Sequence, residues 1–236
     1  MRQMNAMITR LASREGPDAS HEPTAVSVGT SGIELGVYST PDDWRLGPLA
    51  PQTRGRLLRT VGLWVLTRMG WHFEGQMPNT PKFVAIVAPH TSNWDFLIGI
   101  AAKWALGFDA HFWGKDTLFI PPLGWFMRAN GGIPVDRSNS SKVVDMTIEG
   151  FLTHERFALA LAPEGTRKKV SQWRSGFWHV AKGANVPICC VAFDYSRKVI
   201  RLGPSTMPDE EDPVLGIARI RSYYSNVQGY NPSQQT

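Results

Sequence analysis

The chain has 236 residues, 42% of them hydrophobic and 19% charged, with a net charge of +5 at neutral pH. Apolar content at that level excludes a wholly disordered chain and suffices for a sizeable core, and the length fits one domain better than two. Two adjacent cysteines, Cys189 and Cys190, exclude a disulfide-framed scaffold; on a strand their side chains point to opposite faces and do not bridge, which fits a reducing, cytosolic setting.

Residues 1–50 hold few periodic apolar positions and much Gly, Pro, Ser, Thr and acid, so they read as a loosely ordered N-terminal arm ahead of a single domain over 51–236. The opening stretch has no apolar run long enough for a secretory signal. Charge is uneven along the chain: residues 1–50 carry four Lys/Arg against six Asp/Glu and residues 202–236 two against four, which leaves the middle with nineteen against ten. A basic centre attracts anions, whether phosphate, a nucleotide-bearing thioester, an acidic carrier protein, an anionic membrane surface or nucleic acid, and charge alone does not choose among them.

Residues 54–72 place Leu57, Leu58, Val61, Trp64, Val65 and Met69 on one helical face, flanked by Arg54, Arg59 and Arg68. The segment is too short and too charged to span a bilayer; basic flanks with an apolar Trp suit a helix lying in the membrane interface, and packing on the domain core suits it equally. Strands follow near 83–88, 110–113, 131–135, 157–162, 186–193 and 198–202, and helices near 93–106, 139–154, 172–184 and 212–225, with Ser138 as the cap of the 139–154 helix. Such alternation predicts an α/β domain with a mixed, largely parallel sheet covered by helices.

Four blocks carry the chemistry. His90-Thr-Ser-Asn-Trp-Asp95 follows the apolar run Phe83–Ala88 and supplies a general base with a carboxylate to hold its other nitrogen, provided the chain turns from strand into helix between them. Thr91, Ser92 and Asn93 are placed to cap that helix. Gly131–Arg137 comes second. In the third, Ala162–Arg167, Glu164, Gly165, Thr166 and Arg167 form a tight turn in which glycine is free to take φ > 0 and the guanidinium offers a planar fork matched to phosphate. Val186–Val191 is the fourth. Ligands on a parallel sheet sit beyond the carboxyl ends of its strands, so the His90 and Glu164 loops are expected to share one cleft.

In this order the blocks, over about residues 57 to 203, resemble the glycerolipid acyltransferases, the family of 1-acylglycerol-3-phosphate acyltransferase. The resemblance implies that His90 takes a proton from an acceptor hydroxyl, that Asp95 holds His90, and that Arg137 and the Glu164–Arg167 turn bind the acceptor's phosphoglycerol part. Lys115 stands where a basic residue recurs in the family, and Trp125 and Phe126 are candidates to line an acyl groove. The implied partners are a lyso-lipid such as lysophosphatidic acid, an acyl-CoA or acyl-carrier protein as co-substrate, and the inner face of the cytoplasmic membrane; no metal, other cofactor or nucleic acid is implied. Two rival functions fit the same residues: a thioesterase or lipid hydrolase using the pair on water, and a non-catalytic module binding anionic lipid.

Overall fold

The computed structural model describes residues 44–53, 55–136, 140–209 and 212–235. Expectations for residues 1–43, Arg54, Arg137 and Ser138 lie outside these. The described strands are β1 (His72–Gly75), β2 (Lys82–Ala88), β3 (His111–Lys115), β4 (Gly132–Val135), β5 (Phe157–Leu161), β6 (Ile188–Asp194) and β7 (Val199–Thr206). The helices are α1 (Arg56–Met69), α2 (Trp94–Leu106), α3 (Leu123–Ala129), α4 (Ser140–Thr153), α5 (Gly176–Ala184) and α6 (Pro213–Ser222).

The strands form one sheet in the order β1-β7-β6-β2-β5-β3-β4. Each neighbouring pair is parallel except β6 and β7, which are antiparallel. Connection length accounts for the difference: α2, α3, α4 and α5 provide crossovers between successive strands, whereas only residues 195–198 separate β6 from β7, enough for a turn and too few for a crossover. The sheet is the mixed, largely parallel one that the alternation predicts.

Apolar runs in the central strands divide their side chains between two cores, as the period of two requires. From β2, Phe83 and Ala85 enter the core shared with α1 and α2, while Val84, Ile86 and Ala88 enter the core shared with α5 and α6. Cys189 and Cys190 divide in the same way and are both free thiols. Segment 44–50 also packs here, with Trp44 stacked on Phe73 at 4.9 Å and Ala50 fully buried.

Three local features differ from expectation. The first helix ends at Met69, where the Trp71 N–H closes on Leu66 O at 2.9 Å, and His72 starts β1 alongside β7 instead of continuing the helix. Seven residues around Trp125 form α3, a helix too short for periodicity to announce. Within α1 the buried face is that of Gly62 and Leu66, supported by Leu63, Val65 and Met69. Gly62 sets this orientation, since a Cβ there would lie 2.5 Å from both Ala101 O and Ala105 N of α2. Leu57, Leu58, Val61 and Trp64 consequently stay exposed. Among the described residues no helix is long and apolar enough to cross a membrane.

Candidate active site

Parallel pairing brings loops distant in sequence to one edge of the sheet. With Ile86 opposite Leu161 and Ala88 opposite Ala192, the chain leaves β2 at Pro89-His90, β5 at Ala162–Glu164 and β6 at Tyr195, all on the same side. Lys115 ends β3 at this edge, exposed and in register with Val135 of β4. Arg137, two residues further on, lies outside the described residues.

His90 and Asp95 come together here. Asp95 lies in the first turn of α2, where the helix dipole favours a negative charge. It is 3% exposed, and such a carboxylate needs donors on both oxygens. Its Oδ2 accepts the N–H groups of Thr91 and Ser92, each at 2.8 Å, and faces His90 Nδ1 at 3.1 Å, while Oδ1 accepts the Tyr195 hydroxyl at 2.7 Å. The turn expected between His90 and Asp95 is therefore folded around the carboxylate itself. With Nδ1 so engaged, Nε2 is the ring nitrogen left for a ligand. Of the three residues expected to cap α2, only Ser92 does so, its Oγ accepting from Trp94 N at 3.2 Å; Asn93 makes no side-chain cap bond, and Thr91 is buried with its Oγ1 accepting from Asn231 N.

The Glu164 turn adjoins this pair, but its carboxylate points inward. Oε2 accepts the backbone N–H of His90 at 2.7 Å, the side chain is buried, and burial pushes its pKa up to about 7. Gly165 has φ of +67°, the left-handed value that the turn requires and that glycine takes without strain, and its N–H bonds Ala162 O at 3.1 Å. The Arg174 side chain runs past it, with Nε 2.6 Å from where a Cβ would be. Thr166 turns its hydroxyl to its own loop, accepting from Lys168 N at 3.3 Å, while Arg167 is exposed.

A cavity of about 220 Å³ opens beside the pair and runs between the sheet and α2. His90, Asp95 and Phe96 line one part of it, Gly99 and Phe193 another, and Leu106 and Phe108 a third, so apolar groups dominate a wall that also carries the His90–Asp95 pair, Lys103 and His111. Neither Trp125 nor Phe126 lines it. Both sit exposed on α3, with Phe126 edge-on to Trp104 at 6.3 Å, because α3 packs outside the layer that forms the cavity. Tyr195 is the site residue missed from the sequence. Its signal was position alone: it directly follows a fully buried strand parallel to the one that delivers His90.

A family model described as Acyltransferase matches residues 72–194, from β1 to the end of β6, and so includes the His90 and Glu164 loops. Over 93 residues the chain is 32% identical to the 1-acyl-sn-glycerol-3-phosphate acyltransferase of Saccharomyces cerevisiae, covering 36% of this chain and 31% of that protein. Over 125 residues it is 30% identical to the protein of the same name from Streptococcus pneumoniae, covering 52% of this chain and 46% of the other. The chain thus matches about a third to a half of the length of these curated relatives. In fold it is similar to the crystal structure of the 1-acyl-sn-glycerophosphate (LPA) acyltransferase PlsC from Thermotoga maritima, with a TM-score of 0.50 at 16% identity over 74% of this chain and 81% of that one. Since the family model takes in about half the chain and every strand from β1 to β6, the protein belongs to the Acyltransferase family.

Proposed function

We propose that the protein transfers a fatty acyl group from an acyl thioester to the hydroxyl of a lyso-lipid such as lysophosphatidic acid, with His90 as general base. The observation that carries this reading is the imidazole held by a buried carboxylate at 3.1 Å in the wall of an apolar cavity. His90 Nε2 takes the acceptor's hydroxyl proton as that oxygen bonds to the thioester carbonyl carbon, and Asp95 stabilises the imidazolium. Collapse of the tetrahedral intermediate breaks the carbon–sulfur bond, and the departing thiolate takes up the proton from His90. The acceptor's oxygen does the work of an enzyme nucleophile, so no acyl-enzyme forms.

The acyl chain lies in the cavity. The acceptor's phosphate meets the exposed Arg167 of the Glu164 turn, the exposed Arg174 packed beside that turn and Lys115 at the end of β3, with Arg137 added by the family resemblance. Coenzyme A and acyl-carrier protein are both anionic, and the basic middle of the chain suits either donor. The exposed apolar residues of α1 suit a membrane surface, where both lipid substrates reside.

The test is an assay with lysophosphatidic acid and either acyl-CoA or acyl-carrier protein, following lipid product and thiol release separately. The wild type is expected to couple the two, and Asp95→Asn to lower turnover by about a thousandfold or more with the fold intact. Thiol release without acylated lipid identifies a hydrolase instead, and near-normal turnover by Asp95→Asn removes the role given to the pair.

A further inference from the structure

We infer that Tyr195 is a positioning residue of this reaction: its hydroxyl fixes the Asp95 carboxylate through the oxygen His90 does not use, and segment 227–235 straps Tyr195 and the His90 turn together. The inference rests on the acyl-transfer reading for its chemistry and on separate contacts for its geometry.

Asp95 distributes its donors unequally. Oδ2 receives His90 Nδ1 and two backbone N–H groups, and Oδ1 receives the Tyr195 hydroxyl at 2.7 Å. A carboxylate held on one oxygen alone turns about its terminal torsion, which is broad and roughly two-fold, and with it turns the acceptor for His90. The phenol closes that freedom. Burial, and after it the Asp95 charge and hydrogen bond, drive the Tyr195 pKa far above its ordinary value, so the hydroxyl stays a donor throughout the working pH range.

Tyr195 is itself fixed on several sides. Its ring stands edge-on to Trp71 at 4.8 Å and to Tyr230 at 5.3 Å. The preceding residue, Asp194, sets the turn by accepting the Ser196 N–H at 3.1 Å and the Ser196 hydroxyl at 2.6 Å. The Tyr195 N–H bonds Gln228 O at 2.8 Å. Three residues beyond Gln228, Asn231 grips Thr91 twice: its backbone N–H donates to Thr91 Oγ1 and its Nδ2 to Thr91 O, both at 3.0 Å. Gln235 closes the strap by accepting the Gly229 N–H at 3.0 Å. One short segment thus ties the support of the carboxylate to the loop that carries the imidazole. It lies beyond residues 72–194, which the family model matches.

The experiment uses Tyr195→Phe in the full chain, which keeps the ring and removes only the hydroxyl. Expected is a fall in kcat of about ten- to a hundredfold, from loss of one hydrogen bond to a charged group, with KM for both substrates unchanged and a lowered Tm, because the buried Oδ1 loses its donor. On an Asp95→Asn background the same change is expected to add nothing, because Tyr195 acts through Asp95; a residue important only for packing adds its full factor there. Amide exchange at Thr91 and Ser92, measured without substrate, is expected to rise about tenfold in Tyr195→Phe and in Asn231→Ala. Wild-type kcat in Tyr195→Phe, full additivity with Asp95→Asn, or unchanged exchange in both variants overturns the inference. Failure of the acyl-transfer reading shows elsewhere, as undiminished turnover in His90→Ala, and leaves the exchange measurement decisive.

Discussion

The Glu164 carboxylate, 3% exposed with one oxygen on the His90 N–H, keeps its proton to about pH 7, against 4.5 for the free side chain. Burial is the main cause; the hydrogen bond from His90 and the charge of a protonated His90 pull the other way, and the Asp95 charge adds to the rise. Between those two values the folded state binds more protons than the unfolded one, so this group's stabilising contribution is complete below about pH 4.5 and is lost as pH rises through about 7. Glu164→Gln retains an acceptor for the His90 N–H and no longer titrates. The wild-type Tm is therefore expected to fall relative to that of the variant between these pH values, and a Tm difference that stays flat across the range contradicts the assignment. Residue by residue, the meeting of His90 with Asp95 and the positive φ of Gly165 were legible because strand-end position, spacing and backbone freedom are local properties. The inward turn of Glu164 and the part of Tyr195 were not, because each depends on a contact across neighbouring strands, 74 and 100 residues apart in sequence.

At the scale of elements, α1 shows why an apolar stripe does not by itself identify the buried face. Its 14 residues carry apolar groups around much of the circumference, and Gly62 decides which arc meets α2 by letting the two backbones approach. Leu57, Leu58, Val61 and Trp64 lie beside that arc and remain in solvent. The proposed membrane contact depends on them. Leu57→Gln combined with Trp64→Gln is expected to weaken sedimentation with anionic phospholipid vesicles about tenfold or more, with little change in Tm because both side chains are already exposed. Equal binding by the double variant removes α1 from the contact. The long alternating elements were readable to within a few residues, whereas β1 and α3 were not: four and seven residues are too few for a period to stand out, and β1 gains its identity only from pairing with β7.

Across the whole molecule, the sheet order puts β2 at the centre, so the loop bearing His90 emerges between those following β5 and β6. The fold class was legible because it follows from the alternation of strand and helix, while the strand order arises from which crossovers pack where. The cavity follows from that assembly, being the space left where α2 crosses the sheet. Gly99 is a small residue in its wall, and a Cβ there meets only the Phe193 ring, at 3.6 Å, so a larger side chain has room to grow into the void. Gly99→Leu is expected to lower kcat/KM for long-chain acyl thioesters about tenfold while sparing a four-carbon donor, as competition assays would read directly. Equal loss with both donors places the acyl chain elsewhere.

That void belongs to the interior of the protein as much as to its chemistry, since Phe193, Leu106 and Phe108 are also members of the core between the sheet and α2. Under the proposed reading, a fatty tail that enters supplies the missing filling of this layer, and donor binding finishes the fold as well as loading the enzyme. Saturating a long-chain ligand then tightens the molecule in proportion to the logarithm of its concentration over Kd. The length of tail that packs best is also the length handed on, so the selectivity of the catalyst and the solidity of its interior answer to the same few side chains.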